Sequence, residues 1–270
     1  MAEACLVRGL RLAVEVGAKR GEGWQIYCQA HIARVTGKNR EAIQLFQQAL
    51  EILSEEDIFG AGWCYIYLGH LAVDANDLDR ARQLLRESHR IYSELDNPRG
   101  KGGAERGLGV VELEAGNIVL AEEHLRRSRQ LFRQLAWVKM ASSSEIYLGY
   151  LAAIQGRPEE AEELLLDSLA YQRRESDLYS MAHVLFILGL IAARKDEYTQ
   201  ALELLDAANA LGQDLDVAFP RHLVIAVENA REVLRDHGEK LLKPARPAPE
   251  LVDVILLNRH NWLAKLSRAD

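Results

Sequence analysis

LGHLAVDANDLDRARQLL, residues 68–85, decides how this chain folds. Gly69 and Ala81 are small residues twelve positions apart, and Asn76 stands between them. Apolar residues recur at spacings of three and four on both sides of Asn76, the period of one buried helical stripe. Asn is a residue type that tolerates the left-handed conformation just past a helix end. The stretch therefore predicts two antiparallel helices in close contact, joined by a tight turn. Glycine inside a helix costs about 1 kcal/mol relative to alanine, so close helix–helix contact has to compensate at Gly69.

The same layout recurs without gaps in QAHIARVTGKNREAIQLF (29–46), LGVVELEAGNIVLAEEHL (108–125), LGYLAAIQGRPEEAEELL (148–165) and LGLIAARKDEYTQALELL (188–205). The five segments start 39, 40, 40 and 40 residues apart. The first small position reads Ala30, Gly69, Gly109, Gly149, Gly189, and the second Ala42, Ala81, Ala121, Ala161, Ala201. The turn position reads Gly37, Asn76, Gly116, Gly156, Asp196. In one repeat Pro158 opens the second helix, where a first-turn proline loses no helical hydrogen bond. Equal periods of this length mark a repeat architecture in which each unit packs on its neighbours.

These positions resemble the tetratricopeptide repeat. The large apolar residue after the second alanine (Phe46, Leu85, Leu125, Leu165, Leu205) and the later small residue (Ala49, Ser88, Ser128, Ser168, Ala208) also match its pattern. The period exceeds the usual 34 residues and is similar to the longer-helix variety of Pins-type scaffolds, Rap-type peptide sensors and bacterial signalling ATPases. HEAT and armadillo repeats run near this period but lack the paired Gly and Ala. The resemblance covers residues 1–213 and implies an all-α fold, a right-handed α-solenoid of antiparallel hairpins with about 13 helices.

The expected organisation is an orphan helix B over 2–18, repeats at 21–56, 59–95, 98–135, 138–175 and 178–213, a capping helix over 219–238, a Pro-rich linker over 243–249 and a C-terminal amphipathic helix over 250–267. Ala2, Leu6 and Gly9 fit the helix B pattern with no helix A before them, so either the chain is a fragment of a longer protein or this helix is itself the N-terminal cap. The prolines of KPARPAP (243–249) cannot continue a helix. The last segment carries an apolar stripe of Leu251, Ile255, Trp262 and Leu266, which must bury against the last hairpin, the groove or a second copy.

Composition agrees. The 270 residues hold 40 acidic and 33 basic side chains, net charge −7, which argues against nucleic acid as partner. Cys5, Cys28 and Cys64 are odd in number and lie in helical patterns, which predicts a reducing, cytoplasmic setting. No apolar run reaches membrane-spanning length and the N-terminus lacks a signal-peptide pattern.

In such arrays helix A lines the inner, concave surface, by implication of the family. The face of helix A not needed for packing carries Trp24, Tyr27, His31 and Arg34, then Trp63, Ile66, His70 and Asp74. In later repeats it carries Arg106, Glu114, Tyr150, His183, Phe186 and Arg194. Aromatic rings flanked by Arg and Asp make a binding patch. The two tryptophans fit packing between neighbouring helices equally well, and groove histidines are most often hydrogen-bonding surface residues. No Cys or carboxylate cluster completes a metal site.

PRGKGGAERGLG (98–109) is not a phosphate loop, because no Ser or Thr follows the Lys and no strand precedes it. It reads as helix A3, starting at Pro98 with Asn97 as cap; its glycines predict a weak point where the superhelix can change pitch. The arginine run LRRSRQLFRQL (125–135) reads as a solvated outer face with Glu partners. No nucleophile, metalloprotease or nucleotide-binding motif occurs. The expectation is a non-enzyme without cofactor: a protein- or peptide-binding segment of a larger bacterial regulator. ALELLDAANALGQDL…AREVLRDHGE looks similar to the end of the sensor arrays of MalT-type regulators. Partners would be another protein, a peptide or other domains of the same polypeptide, with self-association through 250–267; no membrane is implied. A free-standing scaffold or a small-ligand sensor is the other expectation. Asparagines that clamp a peptide backbone in Pins-type grooves are absent: Cys28, Tyr67, Gly107, Tyr147 and Ile187 hold those positions.

Overall fold

The computed structural model describes residues 19–215, 228 and 248–257. The elements are α1 Lys19–Val35, α2 Asn39–Glu56, α3 Ile58–Asp74, α4 Leu78–Glu94, α5 Pro98–Glu114 and α6 Ile118–Gln134. They continue with α7 Val138–Ile154, α8 Pro158–Glu175, α9 Leu178–Arg194, α10 Tyr198–Leu215 and α11 Ala248–Leu257. Among the described residues there are eleven helices rather than about thirteen. The expected helices over 2–18 and, apart from residue 228, 219–238 lie outside the described residues, as do Cys5, linker residues 243–247 and tail residues 258–267. The fold is all-α, built from consecutive antiparallel hairpins.

Contacts divide the chain into two compact units, Met1–Ala136 and Trp137–Asp270. In the first, α1/α2, α3/α4 and α5/α6 are hairpins, and each of α2 and α4 also packs on the helix that follows it. In the second, α7/α8 and α9/α10 are hairpins, with α8 on α9. In these hairpins the odd-numbered helix is the A helix. Within each unit neighbouring A helices touch, α3 on α5 and α7 on α9. Helix α11 packs on α8 and α10, the B helices of the second unit, and Asp253 accepts from Arg173 Nε at 2.7 Å.

The turns follow residue chemistry. Gly37, Asn76, Gly116, Gly156 and Asp196 all have positive φ, between 57° and 77°. In each turn the next residue's amide reaches back five positions, as Asp77 N–H does to Ala72 O at 2.8 Å. That bond satisfies a carbonyl the helix end would leave bare. A second set of left-handed residues follows the B helices at Asp96, Ala136 and Ser176. Sequence patterning misses these, because none is glycine or asparagine. Asp57, Asp77, Asn97 and Asp177 cap the A or B helix that follows by accepting an amide three residues on.

The close approach inside each hairpin involves different partners from those the small-residue spacing implies. A Cβ placed on Gly69 would lie 2.7 Å from Leu85 Cγ, and one on Gly149 would lie 2.7 Å from Leu165 Cγ. The helix A glycine therefore receives the large apolar residue sixteen positions on, not the alanine twelve on. The alanine contributes its backbone: Ala121 O and Ala161 O stand 3.2 and 3.4 Å from the same built positions at Gly109 and Gly149. Phe46, Leu85, Leu125, Leu165 and Leu205 are fully buried. Each such side chain contributes about 1.5–3 kcal/mol relative to exposure. The later small residue is more than small: Ser88, Ser128 and Ser168 donate to Gly62 O, Gly102 O and Ser142 O at 3.0, 2.8 and 3.2 Å.

Helix α5 differs from the expected weak point. Its glycines make room for bulky neighbours: Tyr92 lies against Gly100, Phe132 against Gly102, Ile66 against Gly103 and Leu85 against Gly107. Twelve of its residues, from Gly100 to Leu113, are buried. Low intrinsic helix propensity is offset here by burial, since tertiary packing supplies most of the stability of helices in proteins.

Candidate functional site

The A helices of the first unit bring most of the expected binding residues together. Tyr67 on α3 is the hub. Its hydroxyl is 3.3 Å from His31 Nε2, its ring stacks on Phe46 with centroids 5.3 Å apart, and the Arg34 guanidinium lies 5.3 Å from its centroid. Tyr27 and His70 meet the same ring edge-on. Arg34 Nε is buried and makes no hydrogen bond among the described residues. Sequence patterning set Tyr67 one position before the Leu-Gly pair and gave it no role; its centrality follows from the approach of α1 to α3.

Charge converges at the C-terminal ends of these helices. Burial pushes the His70 imidazole down to about 3, and Arg106 and Arg34 reinforce the shift by repelling its proton. His31 is lowered for the same two reasons, desolvation first and Arg34 second. Desolvation raises the Asp74 carboxyl; Arg34 pulls it back and Glu114 pushes it up again. Arg34, His70, Asp74, Arg106 and Glu114 thus form one electrostatic group spread over α1, α3 and α5, on a neutral imidazole.

The tryptophans are packing residues as well. Trp24 Nε1 donates to Asp57 Oδ2 at 3.0 Å, and its ring meets Tyr27 and Phe59. Asp57 also accepts from Arg20 at 2.9 Å. Trp63 meets Phe59 and Tyr92, and it fills part of the space beside Gly103. Both rings stay half-buried. Ile66 is buried at 1% exposure.

In the second unit the expected residues do not assemble an open surface. Tyr150, His183 and Phe186 are buried. His183 lies against Tyr179, with ring centroids 4.5 Å apart. Arg194 Nη1 donates to Ala153 O at 2.6 Å, tying α9 to α7.

A polar cluster that sequence reading missed lies on the B-helix side of the first unit. Glu105 on α5 is buried and accepts from His89 Nε2 on α4 at 3.0 Å and from His124 Nδ1 on α6 at 2.7 Å. Burial raises the Glu105 carboxyl, but the hydrogen bonds and charges of His124 and His89 outweigh it and hold it at about 2. Beside it, Arg82 Nε donates to Glu112 Oε1 at 2.7 Å. The cluster floors a pocket of about 650 Å3 walled by α4 and α6. No single-helix pattern reveals it, because its members belong to three helices. Among the described residues no group of His, Cys, Asp or Glu can hold a metal ion, and no helix is long and apolar enough to cross a membrane. Cys28 and Cys64 are free thiols.

An array of antiparallel A/B hairpins defines a helical-repeat protein. Family models of the tetratricopeptide repeat match residues 25–94 and 148–215. The chain carries tetratricopeptide repeats. Among solved structures it is similar to BtubC (BKLC) of P. vanneervenii, with TM-score 0.59 and 18% identity over 81% of this chain and 92% of that one. It is also similar to a single-substitution form of the nearly identical TPR-like repeats of a Podosopora anserina kinesin light chain, with TM-score 0.52 and 16% identity over 74% of this chain and 98% of that one. At these identities the likeness concerns the fold. No curated protein matches the chain.

Proposed function

We propose that the chain is a protein- or peptide-binding module that takes its ligand on the A-helix surface of the first unit, and that it serves as the sensor or interaction segment of a larger regulatory protein. One observation carries the reading: Arg34 and Arg106 both act on His70, and Arg34 and Glu114 both act on Asp74, so charges from three successive A helices meet on one surface beside the Tyr67 ring. A surface with both charge signs beside an aromatic hub pairs with the side chains and backbone of a peptide, and Arg and Tyr are the residue types that dominate such contacts. Arg34 Nε, buried and without a hydrogen bond among the described residues, is a donor such a ligand would satisfy. A free-standing scaffold or a small-ligand sensor would use the same surface, and so would another domain of the same polypeptide.

The test is selection from a random peptide library on the purified chain. Peptides enriched on wild type should lose at least about tenfold in affinity with Arg34→Ala or Asp74→Ala, since truncation at such contacts costs about 1.4 kcal/mol or more. Arg86→Ala, on the B-helix side, should leave them unchanged. Peptides that bind both A-helix variants as tightly as wild type would overturn the proposal.

A further inference from the structure

The pocket between α4 and α6 stands apart from the A-helix surface. It is about 650 Å3, within the range of small-ligand sites. Both walls present basic side chains to it: Arg86, His89 and Arg90 from α4, His124 and Arg127 from α6. Arg90 and Arg127 are held by carboxylates on their own helices, Glu87 and Glu94 for the first and Glu123 for the second. Exposed pairs of that kind exchange partners at little cost. Arg86 makes no ion pair or hydrogen bond among the described residues.

The acidic groups facing the pocket are already engaged. Glu94 is on Arg90, Glu112 on Arg82 and Asn117, and Glu105 on the two histidines. Glu105 carries no proton, so each imidazole nitrogen that meets it must be the donor. His89 therefore keeps Nδ1, and His124 keeps Nε2, without a hydrogen bond among the described residues. In the neutral ring that second nitrogen is an acceptor, which repels an anion; after proton uptake it becomes a charged donor. The two rings address opposite oxygens of Glu105.

We infer that this pocket is a binding site for an oxyanion, a sulfate-, phosphate- or carboxylate-type group, held by Arg86 with His89 and His124, and that binding takes up protons on the two rings. Glu105 fixes the rings, while Arg86 supplies the standing positive charge. The balance of the walls shifts from near neutral to positive as the rings charge, so the anion is favoured in mild acid.

The experiment titrates the full chain with sulfate, which stays a dianion across the range used, so any pH dependence belongs to the protein. Calorimetry at about pH 5.5 and about pH 8, spanning the range where histidine titrates, should show affinity at least about tenfold higher at the lower pH. Proton uptake should appear when the titration is repeated in buffers of different ionisation enthalpy. Arg86→Ala should weaken sulfate by about fivefold or more with an unchanged unfolding midpoint. The double variant His89→Gln/His124→Asn keeps an amide donor at each position that meets Glu105 but cannot titrate, so it should bind sulfate equally at both pH values. A blocked acidic peptide run beside sulfate separates the sources: tighter binding of the peptide points to a protein-borne carboxylate, tighter sulfate to a free anion, and either supports the site. Equal wild-type affinity at the two pH values, or pH dependence surviving in the double variant, overturns the inference.

Discussion

A Cβ added to Gly109 would stand 2.6 Å from Leu125 Cγ and 3.2 Å from Ala121 O, so the A and B helices of the third hairpin meet with no room for a methyl group. The nearest obstacle after the leucine is backbone, which cannot swing aside. Alanine is the better helix former by about 1 kcal/mol, but overpacking of this kind costs about 1–3 kcal/mol. Gly109→Ala is therefore expected to lower stability in urea unfolding. Leu125→Ala in the same chain should relieve part of that loss, so the double variant should be less destabilised than the sum of the two singles.

Ala136 has φ of 51°, in the left-handed region, without the glycine that tolerates it at Gly116 or Gly156. A Cβ there costs about 1–2 kcal/mol, against about 0.5–1 kcal/mol for the extra freedom glycine loses on folding. Ala136→Gly should raise the urea midpoint slightly, by the equivalent of about 0.5–1 kcal/mol. A lowered midpoint would show that the methyl group packs favourably.

Glu105 is held at about 2 against an ordinary 4.5. A carboxyl whose folded value is depressed contributes stability above its unfolded value and loses it as pH falls through the folded one. Stability from this group should be complete above about 4.5 and drain away between about 4.5 and about 2. Glu105→Gln should remove that acid limb from a plot of unfolding free energy against pH. It should also destabilise the chain at neutral pH, by about 1–3 kcal/mol, because an amide cannot accept from both rings.

His70 is held near 3 against an ordinary 6.5, so its charged form is disfavoured by folding. Its contribution is whole above about 6.5 and is lost as pH falls from there towards about 3. Proton NMR should find the His70 ring neutral well below pH 6. Arg34→Ala removes one of the two repelling charges, so the ring should then titrate at higher pH. A titration curve unmoved by Arg34→Ala would separate Arg34 from His70 and dissolve the A-helix charge group.

Much of this was readable before folding. The five left-handed turn positions stand where Gly37, Asn76, Gly116, Gly156 and Asp196 predicted them, because chain reversal after a helix needs a residue type that can adopt positive φ. Asn97 and Pro98 announce the start of α5 for a similarly local reason. The glycines of α5 suggest a weak point because propensity speaks of an isolated helix, whereas Tyr92, Phe132, Ile66 and Leu85 reach those glycines from other helices. Asp96, Ala136 and Ser176 gave no warning of their left-handed conformation, since none is glycine or asparagine.

Periodicity and side-chain size alone determined that this protein is a series of helical hairpins, because the apolar stripe, the turn residue and the small contact positions are all local properties of forty residues. Which side chains face a ligand was decided by the tertiary structure. Tyr67 became a hub, and His89, Glu105 and His124 became a cluster, only through the distances between helices far apart in the chain. Tyr150 shares a periodic position with His31 and His70, His183 with Trp24 and Trp63, and Phe186 with Tyr27 and Arg106, yet all three are buried in the second unit. Period places a residue on a face of its helix; what packs against that face depends on the neighbouring helix, and no single repeat contains that information.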